Sequence, residues 1–550
     1  MIDRSGSRVR WMQRTLPVWV AMGAGLVAAL ASCDTSTAEL PSSFPDASVE
    51  AEPTVPPTID RDDFAQPVLD VDVPSNAPAL FEGKDTASTG PCLHEPELGS
   101  LIPRNWIRPR FRFTAPNQEN LFEIRLDVPG EKNALRIYTR KSGYTLVSET
   151  WKTITAVAVG QTLKVRVRSL VVDAGGKITA GPFLGADGTM EIAPVAAAGT
   201  VVYWTTSGGS VLKGFRMGDE TVQTVITPPQ TGTACVACHT STPDGKYVAM
   251  TVSTNPGDGS GPAFVNLRSL DGTAAEPPFL TASARTLLGR LDQHAPAFSK
   301  AHWQDGDHTA LTMLPIAGKT EMVWTNLEAP STNQGEGWGI VARTGDANAA
   351  SAASFSHDGQ TIVYTSSPGS GAGTITGSGA LFSVPYMNRA GGAAAAIAGA
   401  SDPAFHYFYP TFSADDAFLA MNRIPAGPSA TSYNNAAAEV FVVPRAGGTP
   451  TRLAANDPPA CLSTVKSPGI TNSWPKWSPE VKRANGKDYY FMVFSSTRYS
   501  AGHGPQLYVA PIVVSGGVVQ TYPALYLWNQ PETENNHTPA WDVFELAGPK

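Results

Sequence analysis

The chain has 550 residues, of which 42% are hydrophobic and 16% are charged, and its formal net charge is −8. This length is ample for more than one hydrophobic core, and the 51 Gly and 46 Pro favour short strands and tight turns over long helices. A mildly acidic chain without a basic stripe argues against nucleic acid as a partner.

The first 32 residues resemble a bacterial lipoprotein signal peptide. Arginines between Arg4 and Arg14 form a basic segment, an apolar segment runs from residue 16 to 30, and Leu30-Ala31-Ser32 precedes Cys33. This order is typical of a secretory leader that ends in a lipobox, which implies acylation of Cys33. No later apolar stretch is long enough to span a bilayer, so the lipid would be the anchor. The alternative is an ordinary secretory leader or a single membrane anchor.

Residues 33–90 are predicted to form a disordered tether. From position 34 onward they carry twelve Asp and Glu against one Arg and one Lys, and they are rich in Pro, Ser and Thr. Such a composition cannot bury enough apolar surface to offset chain entropy. We therefore predict a lipid-anchored protein of the bacterial cell envelope, held away from the membrane and facing the periplasm or the cell surface.

Residues 91–197 are predicted to form a β-sandwich. Short apolar runs alternate with turn residues, and 163–168 read Leu-Lys-Val-Arg-Val-Arg, as in an antiparallel strand with one solvated face. This density of short strands suggests an immunoglobulin or fibronectin type III-like sandwich. The predicted strands are 110–113, 121–128, 135–139, 145–148, 162–172 and 190–192.

The spacing that attaches c-type haem occurs once, as Cys235-Val236-Ala237-Cys238-His239. In such a motif the two thiols form thioethers with the porphyrin and the histidine ligates the iron. The predicted cofactor is therefore haem c, with His239 as the metal ligand. A regular strand would point Cys235 and Cys238 to opposite faces, so the motif is expected to lie partly in a loop or turn.

From residue 234 to the C-terminus one phrase recurs in phase, an aromatic residue followed by Ser or Asp, whose place in the first period is taken by Ser241-Thr242. In each period the phrase ends one strand and a turn leads to the next, which together with Gly turns describes a four-stranded β-propeller blade. The anchor positions are 241, 298, 355, 412, 477 and 541, separated by 57, 57, 57, 65 and 64 residues.

The last period supplies a single strand, at 537–546, before the chain ends. Three predicted strands that belong to none of these periods precede the first period, within residues 200–228. One and three make a sixth blade, and such a closure would remove the open sheet edges of the ring. The predicted fold class is therefore all-β: the sandwich followed by a six-bladed β-propeller over residues 198–550.

The phrases SFSHDGQTIVYTSS and AEVFVVPRAGGTPTRLA resemble the WD-repeat-like blades of the TolB family of six-bladed propellers. The resemblance covers roughly residues 200–550 and implies a binding role in the cell envelope, with a protein, peptide or glycan at the propeller face. TolB proteins carry an α/β domain before the propeller, where this chain has predicted strands. No Gly-x-Ser-x-Gly elbow is present, so a hydrolase is not predicted.

Two further histidines are predicted to lie near His239. His294 and His537 stand four residues before the anchors of the two blades that flank the first. Because inner strands run beside the central channel, three imidazoles are expected to converge near one mouth. If haem is bound, the sixth ligand is His294, His537 or Met250; the alternative is that the histidines are ordinary polar lining.

Two functions stay open on the sequence. The first is a binding scaffold that holds one haem for electron transfer. The second is a haem-free, TolB-like protein- or glycan-binding lipoprotein, in which Cys235 and Cys238 form a disulfide or, with His239, a zinc site that needs a further ligand. The remaining cysteines, Cys92 and Cys461, could pair and link the two domains.

Overall fold

The structure is a computed structural model that describes residues 61–86, 89–255, 262–368, 379–427, 431, 433–498 and 504–548. The described chain is mostly β, with 46% of residues in strands and 7% in helices. This confirms the all-β character of the prediction. Among the described helices, none has the length and apolar character needed to cross a membrane. The predicted leader, Cys33 and the tether up to residue 60 lie outside the described residues.

The N-terminal part is a β domain with two sheets, ordered β1-β6-β5-β8-β9-β3 and β2-β4-β7, and two helices, α1 (Ala77–Leu80) and α2 (Ser148–Val157). In β8 Leu163, Val165 and Val167 are buried while Lys164 stays exposed, which is the alternation expected from the sequence. The strands are β1 (Val68–Leu69), β2 (Cys92–Glu95), β3 (Leu101–Ile102), β4 (Arg110–Thr114), β5 (Leu121–Asp127), β6 (Leu135–Thr139), β7 (Gly143–Thr145), β8 (Thr162–Val172) and β9 (Ile178–Ile192).

This domain departs from the predicted immunoglobulin or fibronectin type III-like sandwich in two ways. First, α2 was not predicted; it forms because Trp151, Ile154 and Val157 recur every three residues and bury one helical face in the core. Second, β1 pairs with β6 and β3 pairs with β9 in parallel, whereas the predicted sandwich is antiparallel.

The predicted tether extends too far along the chain. Residues 61–86 belong to the β domain: β1 pairs with β6, and Phe64, Ala77 and Phe81 are buried. Asp70 also accepts a hydrogen bond from Thr139 Oγ1 at 2.8 Å. On average the segment is acidic and rich in Pro, but a few apolar residues are concentrated after residue 63. These residues are sufficient to pack the segment against the β domain.

Beyond residue 199 the described chain forms six successive antiparallel sheets. Helices α3 (Pro228–Thr231), α4 (Ala282–Leu288), α5 (Lys300–Gln304) and a 3₁₀ turn (Ala454–Asn456) connect strands, and β20 pairs with β24 outside these sheets. The first three sheets contain β10 (Thr200–Thr205), β11 (Val211–Arg216), β12 (Gln223–Ile226); β13 (Cys235–Ser241), β14 (Tyr247–Ser253), β15 (Ala263–Ser269); and β16 (His294–Phe298), β17 (Thr309–Ile316), β18 (Lys319–Asn326), β19 (Trp338–Ile340).

The remaining strands complete the other three sheets, and the last strand, β36, joins the first sheet. In chain order they are β20 (Arg343–Thr344), β21 (Ala349–Phe355), β22 (Thr361–Ser367), β23 (Ala380–Pro385), β24 (Gly392–Ala393), β25 (Ala395–Ala396), β26 (Phe405–Phe412), β27 (Phe418–Pro425), β28 (Glu439–Pro444), β29 (Thr451–Arg452), β30 (Asn472–Trp477), β31 (Lys482–Ala484), β32 (Lys487–Ser496), β33 (Gln506–Ser515), β34 (Val518–Thr521), β35 (Leu525–Tyr526) and β36 (Asn536–Asp542).

The sheets are arranged in a ring. We call β13, β16, β21, β26, β30 and β36 the inner strands; each contacts the next, and β36 contacts β13. The sheet order β12-β11-β10-β36 joins the C-terminal strand to the first strand of the ring, with Val201 opposite Trp541. The Trp541 indole N–H donates to Ala198 O at 2.8 Å, so the two ends of the ring are joined by backbone and side chain.

The hydroxyl residue of the recurring phrase closes the turn after an inner strand. Ser413 Oγ accepts from the Phe418 backbone N–H at 3.0 Å and donates to the Asp415 carboxylate at 2.7 Å. Ser356 accepts from the Thr361 N–H in the same way, at 3.0 Å. In these periods the hydroxyl group satisfies backbone groups of a tight turn, which favours Ser at this position.

The N-terminal domain and the ring share one hydrophobic core, in which Trp106 and Ile107 join Tyr203, Phe215 and Phe491. A disulfide between Cys92 in β2 and Cys461, in the loop after the 3₁₀ turn, links the same two parts, with 5.6 Å between the Cα atoms.

Ion pairs cross the same boundary. Arg110 pairs with Glu532 at 2.9 Å, and Arg108 pairs with Glu220 at 2.6 Å. Covalent, apolar and ionic contacts therefore hold the β domain against the ring.

Candidate functional site

A cavity of about 180 Å³ lies where the six inner strands meet. Every inner strand contributes side chains to its wall, so the cavity exists only when the ring is closed. Aromatic anchors form part of the lining: Phe298, Phe355, Phe412, Trp477 and Trp541.

A one-residue β-bulge in each inner strand aims side chains into this cavity. In β26, for example, Phe408 pairs with Asn422 of β27 and Thr411 pairs with Ala420. Three residue steps along β26 therefore correspond to two along β27. Corresponding register shifts occur in the other inner strands or, for β36, in its pairing with β10. Proline lacks the N–H that a bulge leaves unpaired, and it occupies the second bulge position in four strands: Pro296, Pro410, Pro475 and Pro539.

The first bulge position holds a left-handed backbone in five inner strands. At two of these positions the side chains are aromatic, Tyr409 with φ 55° and Trp474 with φ 58°. Their rings stack at 3.7 Å between centroids, and both residues line the cavity. The stacked pair gives the wall a flat apolar surface, and its contact contributes to holding the two left-handed residues in place.

The charged groups of the lining leave one ammonium group without a close partner. Lys300 Nζ lies 3.3 Å from Asp542 Oδ1, which balances both charges. Lys476, in β30, has no ion pair or side-chain hydrogen bond to any described residue; Cys238 and Asp542 are its ionisable neighbours. Burial lowers the pKa of the Lys476 ammonium, because a low-dielectric site disfavours the charged form.

Of the predicted site residues, Cys238 and His239 line the cavity, whereas Cys235, Met250, His294 and His537 do not. Cys235 and Met250 are fully buried in the core between sheets. The His537 ring packs on Trp204 at 4.6 Å between centroids, and burial lowers the pKa of His537 to about 4. Burial lowers the pKa of His294 as well. Of the three histidines that were expected to converge at one mouth, only His239 lines this cavity.

The Cys-x-x-Cys-His motif lies within β13 and not in a loop, because the bulge falls at Ala237 and Cys238. Neither thiol forms a disulfide. Cys235 Sγ lies 3.2 Å from Ser210 Oγ, which belongs to the neighbouring sheet's β10–β11 turn. Burial raises the pKa of the Cys238 thiol to about 11, so this thiol is protonated at neutral pH.

These residues do not fit a c-type haem. His239 Nε2 lies 3.0 Å from Val202 O and its Nδ1 lies 3.3 Å from Ala237 O, so both ring nitrogens face carbonyl oxygens. Burial lowers the pKa of His239 to about 4. Cys235 has no exposed surface, so its thiol is not accessible to a porphyrin.

A zinc site at the motif is not supported either. Within the part of the chain that the structure describes, no group of three or more His, Cys, Asp or Glu side chains is placed to hold a metal ion. Structural zinc needs four such ligands.

Sequence reasoning missed Lys476, the Tyr409–Trp474 pair and His357. The Lys476 signal was present: the residue before each anchor is Thr240, Ala297, Ser354, Thr411 or Ala540 in the other blades. A single lysine where the other blades have small residues at the aligned position indicates a side chain that lines the cavity. His357 lies at the cavity with Nδ1 2.9 Å from the Asp416 carboxylate.

No protein-family model and no curated protein matches the chain. Solved structures that resemble it are β-propeller-like. A puromycin hydrolase mutant complexed with PGG is 14% identical, covering 66% of this chain and 52% of that chain, with a TM-score of 0.29. Prolyl endopeptidases match at 13% identity, over 60% of this chain and 48% of that chain, also with a TM-score of 0.29.

A quinoprotein alcohol dehydrogenase-like protein from Bacteroides thetaiotaomicron is 8% identical, covering 81% of this chain and 97% of that chain, with a TM-score of 0.25. The chain spans about half the length of the first two proteins. At these TM-scores the similarities carry no information about activity.

Proposed function

We propose that this protein is a lipid-anchored binding protein of the bacterial cell envelope, built as a six-bladed, TolB-like propeller with a β domain in front of it. Its binding site is the central cavity. The observation that carries the proposal is that all six inner strands line this cavity and that their bulges direct side chains into it. The N-terminal domain supports the ring from outside, and the acidic segment before residue 61 spans the distance to the membrane.

We favour binding over electron transfer because the residues of the haem motif are engaged in contacts within the fold. Cys235 is in the core and His239 is held between two carbonyl groups. It is favoured over hydrolysis because the sequence lacks a nucleophile elbow. The function supported best is thus the haem-free one, with a peptide, glycan or small molecule as ligand.

A cavity-blocking variant tests this function. The full chain is screened by thermal shift against peptidoglycan fragments, oligosaccharides, short peptides and small metabolites. A ligand at a hundred times its Kd stabilises the folded state by about 2.7 kcal/mol, which is readily detected. Ser354→Trp, which places an indole in the cavity, should abolish the shift, whereas Ala396→Trp on the exposed edge strand β25 of the same sheet should retain it. A shift that survives Ser354→Trp, or a screen without any shift, contradicts the proposal.

The lipid anchor is tested at Cys33. Because a lipobox precedes this residue, the mature chain is expected to start at Cys33 and to partition with membranes. Cys33→Ala should release the protein into the soluble fraction or leave its leader uncleaved. Cys238→Ala, which leaves the lipobox intact, should remain in the membrane fraction. Mass spectrometry that finds an unmodified N-terminus at another residue counts against the anchor.

A further inference from the structure

Among the described residues that line the central cavity, one positively charged side chain has no negatively charged partner. Lys300 and Asp542 neutralise each other at 3.3 Å. Asp416, near the His357 side of the cavity, is likewise engaged, with His357 at 2.9 Å and Arg445 at 3.5 Å. Lys476 is left with no acceptor among the described residues. Lys476 is half-buried, so its ammonium group has lost part of its hydration without gaining an acceptor, and an anion in hydrogen-bond contact would offset that loss.

The remaining side chains that line the cavity indicate the chemistry of the rest of the ligand. The stacked Tyr409–Trp474 pair and the aromatic anchors are apolar, and Ala297, Ala353 and Ala540 add methyl groups. The volume, about 180 Å³, is close to that of an engineered cavity of ~150 Å³ that binds benzene. The site therefore suits a small molecule with a flat apolar body.

We propose that the cavity binds a small organic monocarboxylate, with the carboxylate at Lys476 and the apolar body against the Tyr409–Trp474 pair. This inference rests on the proposed function, since it names the ligand class of the same cavity. One carboxylate matches the single unbalanced lysine, whereas a phosphate would bring a second negative charge for which the lining has no unpaired cation. The protonated Cys238 thiol beside Lys476 adds a weak, neutral donor and does not repel the anion.

Two isosteric probes separate charge recognition from cavity filling. Benzoate and benzamide share one shape, and only benzoate is an anion. Each is titrated into the full chain purified in detergent, and binding is followed by the fluorescence of Trp474, Trp477 and Trp541, with calorimetry as a second readout. Because hydrogen bonds to charged groups contribute more than neutral ones, benzoate should bind about tenfold or more tightly than benzamide.

The variant Lys476→Met removes the charge and keeps the length of the side chain. It should weaken benzoate binding about tenfold or more and leave benzamide binding unchanged. Its melting temperature should not fall, since the ammonium has no ion-pair partner among the described residues that its removal would leave unpaired. Lys487→Met, at an exposed lysine of the same sheet, is the matched control and should bind benzoate as the unaltered chain does.

Three outcomes overturn the inference. If benzamide binds as tightly as benzoate, the cavity takes apolar ligands without regard to charge, and the proposed binding function stands alone. If Lys476→Met binds benzoate normally, the carboxylate contacts another group. If neither probe binds, the monocarboxylate class is wrong, while the screen with Ser354→Trp still decides separately whether the cavity is a binding site.

Discussion

Deleting residues 537–550 should abolish cooperative folding of the ring. The deletion removes nearly all of β36, which pairs with β10, so the first sheet would keep an unpaired inner edge. It also removes Trp541, Phe544 and Leu546, all buried. Burial of each large apolar side chain contributes about 1.5–3 kcal/mol, and the sum is comparable to the whole stability of an ordinary protein, about 5–15 kcal/mol.

Urea unfolding followed by circular dichroism measures this effect. Deleting only residues 549–550 is the control, and it should leave the transition unchanged, as most terminal truncations do. Adding a synthetic peptide of residues 536–548 to the truncated protein should restore part of the transition, because the peptide can occupy the vacant strand position. A truncated protein that unfolds at the same urea concentration as the full chain would rule out a structural role for β36.

Strand positions in the ring could be predicted because their signals are local and periodic. The start of β22 at Thr361 and of β27 at Phe418 follow from the anchor phrase, whose serine closes each turn. The place of Lys476 could also have been predicted from the aligned anchors. Its lack of an ion pair could not, because that depends on Asp542 being paired with Lys300, at the start of helix α5.

Two features could not be predicted because they depend on contacts between residues that are distant in sequence. They are the position at which the tether ends and the burial of the haem motif. Phe64 and Phe81 dock on strands that lie far beyond them in the chain, which an average over composition does not register. Cys235 is buried against Ser210, and His239 faces Val202, both in the preceding sheet. A five-residue motif specifies which groups could bind haem, but the neighbouring sheet decides whether they are free to do so.

Replacing both cysteines of the Cys92–Cys461 disulfide should cost several kcal/mol in the free energy of unfolding. The bond joins residues 369 positions apart. The chain-entropy model gives about 6 kcal/mol for a loop of that size, and removal of natural disulfides costs about 2–5 kcal/mol in small secreted domains. The β domain should nevertheless stay docked, since Trp106 and Ile107 are buried in the core that it shares with the ring. We therefore expect one unfolding transition at lower urea.

Equilibrium urea unfolding of the Cys92→Ala, Cys461→Ala double variant, with and without dithiothreitol, provides the measurement. Reductant should destabilise the unaltered protein to the level of the variant and should leave the variant unchanged. Glu532→Gln is the matched control, since it weakens a non-covalent contact at the same boundary; its carboxylate is 37% exposed, so the change should cost under about 1 kcal/mol. If the double variant is as stable as the unaltered chain, the shared core alone holds the two parts together and the disulfide adds nothing to it.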